Sequence, residues 1–371
     1  MTQIPRPEHP QPQMKREHWK NLNGEWDFSF DFGCSGIDQK WQEGKTDWEK
    51  KILVPFCPES DLSGIGYKDF IPSVWYHRTI TLTGEELKGD LLLHFGAVDY
   101  DARVWINGVE AGRHQGGYVS FTFDITKLVK EGENDITLFA ADDVRGGKQP
   151  KGKQSHFFYS RGCDYTRTTG IWQTVWLEWV PESYIEKVQY YPNLAEATLG
   201  IKAVVKGQGT LEAKAFYGGE PCGSVSAKSE GGTVTMTLPL SRLEKWEPGH
   251  GRLYDLTLTY GEDKVESYFG MREVRLDGEK FLINDKSVFQ RLVLDQGFYP
   301  DGIYTAPTEE ALVKDVELSM AAGFNGARLH QKVFEPLFLY HCDKAGYLVW
   351  GRAGLLGTGL QQSSSIKIFP A

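Results

Sequence analysis

Six side chains are placed where their types could do chemistry. Arg328 and His330 fall at the end of the strand-like run that opens at Phe324. Asp295 follows the run Leu292-Val-Leu294, and Trp350 ends the run Tyr347-Leu-Val-Trp350. Asp142 and Asp143 end another strand-like run. A guanidinium donates to oxygen ligands, an imidazole donates or accepts, and a carboxylate accepts from a hydroxyl. An indole stacks on the apolar face of a ring. The ordinary structural uses stand beside these: an ion pair for Arg328, a cap for His330, a loop cap for Asp295 and core packing for Trp350. His114, Tyr118 and Arg161 fall in loops and carry no assigned role. Gly112-Arg-His-Gln-Gly-Gly117 is glycine-rich, but no helix follows it, so it is not a phosphate loop.

The elements that must hold these residues change along the chain. From about Trp19 to Pro181 the sequence reads as many short strands. Leu91–Phe95, Ala102–Ile106, Phe121–Ile125, Asp135–Phe139 and Thr174–Trp179 are β-type runs. Asn107-Gly108 lies between two of them and predicts a tight hairpin, because both turn residues need positive φ. This is the pattern of an all-β sandwich. From Glu182 to Arg275 the alternation continues through Leu199, Ile201, Ala203 and Val205, then Leu211, Ala213 and Ala215, then Val234, Met236 and Leu238, then Tyr254, Leu256 and Leu258. Glycine turns punctuate these runs, which predicts a smaller immunoglobulin-like sandwich.

Near Leu276 the period changes. Lys280–Asn284 and Ser287–Leu292 are expected to form a hairpin. Thr308 can cap a helix, with Glu309 and Glu310 in its first turn and Leu312, Val316 and Met320 on one face. A second helix is expected over Glu335–Ala345, with Pro336 in its first turn and Gly346 as its stop. Strand, helix, strand, helix, strand implies parallel pairing.

Bulk properties narrow the function. A length of 371 residues suits two or three domains. The net charge of −9 and the absence of a basic tract argue against a nucleic-acid partner. No apolar run approaches the roughly 18 residues of a membrane span. The five cysteines are odd in number and lack CxxC spacing, which disfavours a disulfide framework or a zinc site and suits a cytoplasmic protein. The N-terminus has no apolar core of a signal peptide. No residue cluster demands a metal or other cofactor. The aromatic fraction of 13% suits either a large sandwich core or a protein that stacks rings on sugars.

A set of colinear motifs goes further. Asn21–Phe28, Val54–Ser60, Trp75–Arg78, Phe95–Tyr100, Trp105–Gly108, Gly116–Tyr118, Phe121–Thr126, Thr169–Trp172, Phe269–Arg272, Gly323–His330 and Asp343–Trp350 occur in order. This succession resembles the amino-terminal portion of family 2 glycoside hydrolases. The resemblance implies a mainly β multidomain protein: an N-terminal extension over 1–18, a jelly-roll-like sugar-binding sandwich over 19–181, an immunoglobulin-like sandwich over 182–275, and the first strands of a TIM barrel over 276–351. It also implies a retaining exo-β-glycosidase acting on a terminal β-glycoside, with β-galactoside as the expected sugar and β-glucuronoside or β-mannoside as open alternatives.

A retaining glycosidase places two carboxyl groups about 5 Å apart across the scissile bond. In this family both are glutamates on late barrel strands. A whole barrel takes roughly 250 residues, and the stretch after Leu276 has room for about three strands. No catalytic residue is therefore expected in this sequence. Glu59 and Glu335 lie in matched motifs but on the wrong strands. By the same resemblance, Arg328 and His330 would surround the bound sugar, Asp295 would touch a hydroxyl, and Asp142 or Asp143 would reach the barrel from the sandwich. Many relatives carry a histidine near Asp295. Residues 352–371 fit no family element and are expected to be an aberrant end. The alternative function is a non-catalytic carbohydrate-binding double sandwich. Three barrel strands would leave open edges, which invite self-association.

Overall fold

The computed structural model describes residues 4–352. The first sandwich sets a six-stranded antiparallel sheet against a four-stranded one. The larger sheet orders Lys50–Val54, Gly24–Phe30, Ser73–Leu82, Gly132–Ala141, Asp101–Ile106 and Val109–Gln115. The smaller orders Trp19–Asn21, Val175–Val180, Asp90–Phe95 and Phe121–Asp124. Alternating residues such as Phe28, Val104, Ile106, Leu93 and Leu177 are fully buried between the two. Each such side chain contributes about 1.5–3 kcal/mol by leaving water. The hairpin at Asn107-Gly108 forms as expected, with φ of 52° and 80°. Trp75 stacks on Trp105 at 5.5 Å on the outer side of the larger sheet, beneath the 31–48 segment.

The second sandwich packs a three-stranded sheet against a four-stranded one. Tyr184–Asn193, Thr198–Lys206 and Gly232–Pro239 make the first. Glu220–Ser229, Gly209–Tyr217, Leu253–Tyr260 and Asp263–Gly270 make the second. The alternating residues read from sequence, among them Leu199, Ile201, Leu211, Leu238 and Leu256, form its core.

The hairpin expected after Lys280 is shorter than its sequence suggests. Lys280–Ile283 pairs with Val274–Asp277 on one side and only Lys286–Ser287 on the other. Asn284 and Asp285 both take positive φ, 51° and 63°, which makes a two-residue turn that returns the chain at once. Leu292 then opens a separate strand. Leu292–Asp295, Gly326–His330 and Leu348–Arg352 form a parallel sheet, joined by helices Glu309–Ala321 and Pro336–Ala345. Thr308 caps the first helix by accepting from Ala311 N–H at 3.3 Å. Ala327 and Leu329 point to the helices and are buried with Leu312, Val316, Leu337 and Phe338. Arg352 closes the third parallel strand rather than opening the tail; residues 353–371 lie outside the described residues.

The N-terminal stretch is not a loose extension. Arg6 reaches Glu335 beside the second helix at 2.6 Å, and Arg16 bonds Glu178 of the first sandwich and Asp263 of the second. A single strap therefore ties all three regions. No helix among the described residues is long and apolar enough to cross a membrane.

Candidate functional site

The carboxyl ends of parallel strands are where α/β sheets build sites. Here they meet loops of the first sandwich. Thr305, after the first parallel strand, donates to the Trp172 carbonyl at 2.5 Å. Tyr118 and Tyr304 share a hydroxyl contact at 3.2 Å, and Trp172 Nε1 donates to the Gly117 carbonyl at 2.7 Å. Tyr165 stacks on Phe298 at 4.3 Å. The seam between the sandwich and the strand ends is thus closed by aromatic rings.

Arg328, His330 and Trp350 come together on the face of the parallel sheet away from the helices. Leu294, Arg328 and Trp350 are lateral partners in register. Two residues on, His330 Nδ1 lies 2.8 Å from Arg328 Nη1. The Trp350 ring packs on Phe281 of the preceding hairpin at 5.8 Å. This face carries a cation, an imidazole and an indole side by side, which suits a polar ring-shaped ligand with acidic or hydroxyl oxygens.

Three expected residues are placed elsewhere. Asp295 shares the parity of Val293 and so turns toward the helix layer. It lines a cleft of about 380 Å³ with Asp315, Ser319, Phe338 and Tyr347. Its carboxylate accepts from Gly297 N–H at 2.8 Å, and burial raises its pKa. In the structure it caps a loop on the helix side of the sheet. Asp142 is buried inside the first sandwich, where Thr169 Oγ1 donates to it at 3.3 Å and Gln149 Nε2 also donates. Asp143 is exposed. A one-residue step along an edge decides between core and solvent, and the buried Asp142 bears on Tyr304 in the seam through its charge. Tyr118, read as a loop residue, is 9% exposed because Trp172 and Tyr304 cover it.

Asp142 belongs to a buried acidic group. Thr169 Oγ1 donates to Glu59 at 2.7 Å and Thr169 N–H to the same carboxylate at 3.1 Å. Asp99 accepts from Gln154 Nε2 at 2.7 Å, while its Oδ1 is buried with no hydrogen-bond partner among the described residues. Burial pushes the Glu59 pKa up to about 8 and that of Asp142 to about 7, and it raises Asp99 well above the carboxylate range, with the Asp142 charge adding to it. Glu59 and Asp142 share Thr169 as a partner, but Glu59 has no exposed surface, so no sugar reaches the pair. Glu335 is engaged by Arg6.

Two residues beside the strand ends were not legible in the sequence. Lys332 is buried and donates to the Gly297 and Tyr304 carbonyls at 2.6 and 2.8 Å. Its ammonium lies 5.2 Å from the Trp172 ring centroid, and burial lowers its pKa to about 8. Nothing in its local sequence distinguishes it from a surface lysine. Asp164 precedes Tyr165, whose ring meets Phe298 beside the first strand end. It pairs with Lys151 at 3.6 Å. The aromatic neighbour was its only signal.

The comparisons with known proteins agree with this architecture. Residues 19–181 match the sugar binding domain of the Glycosyl hydrolases family 2, and residues 183–272 match a second Glycosyl hydrolases family 2 domain. A β-glucuronidase of Sus scrofa is 27% identical over 96% of this chain and 60% of its own length. One of Paenibacillus borealis is 24% identical over 91% of this chain and 59% of its own. A β-galactosidase of Lactococcus lactis is 25% identical over 92% of this chain and 35% of its own. The fold superposes on a β-glucuronidase of Ruminococcus gnavus, solved in complex with D-glucuronic acid, with a TM-score of 0.80 and 20% identity over 93% of this chain and 61% of that one. The chain thus spans about 60% of the length of these two β-glucuronidases. With two sandwiches in this order followed by parallel strands, the chain belongs to glycoside hydrolase family 2.

Proposed function

We propose that this chain is the amino-terminal part of a retaining exo-β-glycosidase that acts on terminal β-glucuronosides. The observation that carries the reading is the alignment of β-glucuronidases over more than nine-tenths of the chain. It favours a glucuronoside over the β-galactoside expected from the motifs, since β-glucuronidases recur among the relatives, while a β-galactosidase aligns about as widely. Arg328 beside His330 on the inner sheet face favours the same direction, because a uronate carboxylate gains most from a guanidinium.

The two carboxyl groups of a retaining mechanism must flank the glycosidic bond about 5 Å apart. Among the described residues the inner face of the three strands carries no such pair. The general acid and the nucleophile would come from strands beyond them, while Arg328, His330 and Trp350 would hold the sugar. The chain alone should not turn over 4-nitrophenyl β-D-glucuronide. Turnover that vanishes on mutation of a glutamate within it would refute that. With the barrel completed, kcat/KM for the glucuronide should exceed that for the galactoside about a hundredfold or more, a difference of about 2.7 kcal/mol or more. Arg328→Ala should narrow that ratio. A galactoside preference would reverse the assignment.

The three-stranded sheet leaves Leu294 51% exposed, and Phe289 just before it is 80% exposed. Open strands with apolar side chains pair with copies of themselves. Sedimentation should show concentration-dependent association that Leu294→Lys weakens; a monomer at all concentrations would remove the idea.

A further inference from the structure

Residues 144–167 reverse the charge of the chain around them. They hold Arg145, Lys148, Lys151, Lys153, Arg161 and Arg167 against a single carboxylate, Asp164, in a protein of net charge −9. Lys151 pairs with Asp164, but Arg145, Lys148, Lys153 and Arg161 form no ion pair among the described residues. The same segment presents Phe157, Phe158 and Tyr159 at 37%, 62% and 62% exposure.

Exposed rings of this size are costly to leave in water, and here they are not held there by loose chain. Arg167 is 2% exposed and binds the loop from beneath. Its guanidinium donates to the carbonyls of Ser155 at 3.2 Å and Phe158 at 3.4 Å, and also to those of Phe157 and Lys68. Phe70 lies under it at 4.3 Å and takes the edge of Phe158 at 5.2 Å. The backbone is thereby fixed while the rings of Phe157 and Tyr159 stack on each other at 6.3 Å. Arg161 lies 5.0 Å from the Phe157 centroid and Arg145 4.0 Å from that of Phe70. At the loop's root, Tyr165 stacks on Phe298 beside the first strand end.

We propose that the 155–161 loop is a binding site for a uronate-bearing oligosaccharide, with Phe158 and Tyr159 stacking on sugar faces and Arg145 and Arg161 holding carboxylates. A neutral glycan would use the rings and leave the cations idle. A second copy of this surface would bring like charges together, which disfavours self-pairing. A preordered platform loses little freedom on binding. The site goes beyond the cleavage of a terminal sugar and stands on the loop's own chemistry.

Calorimetric titration of the whole chain tests it. The probe is a tetrasaccharide alternating glucuronate and N-acetylglucosamine, compared with the uncharged tetramer of N-acetylglucosamine. Saturable binding is expected for the charged probe, about tenfold or more tighter than for the neutral one, and weakening as salt rises from about 50 to about 500 mM. Phe158→Ala with Tyr159→Ala should weaken it about tenfold. Arg145→Ala with Arg161→Ala should erase the preference for charge. These side chains are at the surface, and circular dichroism confirms folding. Absence of saturation, equal affinity for both probes, or unchanged affinity in the aromatic variant overturns the site. So does sedimentation in which the aromatic variant dissolves an assembly while no glycan binds, which would make the patch a protein contact. Binding is read without turnover, so the result is independent of which glycosidic bond the parent protein cuts.

Discussion

Arg16→Ala is expected to cost about 3–5 kcal/mol and to lower the unfolding temperature by about 10 °C. The guanidinium is buried and fully engaged. Nη1 donates to Glu178 at 2.8 Å, Nε and Nη2 grip both oxygens of Asp263 at 2.9 and 3.0 Å, and Nη2 also reaches the Ile185 carbonyl at 2.6 Å. Glu178 lies in the first sandwich and Asp263 in the second, so one residue of the N-terminal strap joins them. Its removal takes the guanidinium from two carboxylates that are each 3% exposed, leaving Glu178 with His9 and His94 and Asp263 with the Ile185 N–H. The loss comes from uncompensated burial rather than from the attraction itself. Arg16→Met combined with Glu178→Gln and Asp263→Asn should therefore recover much of the stability. Differential scanning calorimetry reads both effects. A single-variant loss under about 1 kcal/mol would show that water reaches the site.

The second large effect is on pH. An acid whose pKa is higher folded than unfolded binds more protons when folded, so stability falls as pH rises from the unfolded to the folded value. Glu59 moves from an ordinary 4.5 to about 8, and Asp142 from 3.8 to about 7. For Glu59 alone the shift corresponds to about 5 kcal/mol, an upper figure because the site can relax or admit water. Two other groups act outside this window. Glu178 is held low: burial opposes it, but His9 and His94 at 3.4 and 3.3 Å and the charge of Arg16 prevail, so its contribution is lost as pH falls below 4.5. Lys332 is lowered from 10.5 to about 8, so its contribution rises with pH above 8. Stability should peak near pH 5 and fall toward pH 8, with a drop in unfolding temperature of about 5 °C or more. Glu59→Gln keeps the shape and a carbonyl acceptor for Thr169. It should match the parent within about 2 °C at pH 5 and flatten the fall above it. Thermal unfolding across pH 4 to 9 decides this. A parent curve that is level or rises between pH 5 and 8 would mean that Glu59 is ionised and compensated in the fold.

By itself the sequence determined most of the elements and their order, the short hairpin after Lys280 being the exception. Alternation at Leu199, Ile201 and Ala203 can only serve a strand with one buried face, and the residues are buried. Asn107-Gly108 specified its own turn, and Thr308 its own cap, because both act within four residues. Parallel pairing followed from helices placed between strands. Tertiary structure decided which side chains meet. Whether Asp295 faces the helices or the inner sheet depends on a parity of two that a one-residue slip inverts, and a four-residue strand does not fix it. The burial of Asp142, Lys332 and Arg16 comes from partners far away in sequence, such as Thr169, Tyr304 and Asp263. Local sequence encodes periods and turns, since those are set by neighbouring dihedrals. Burial of a charge is set by what packs over it from elsewhere in the chain.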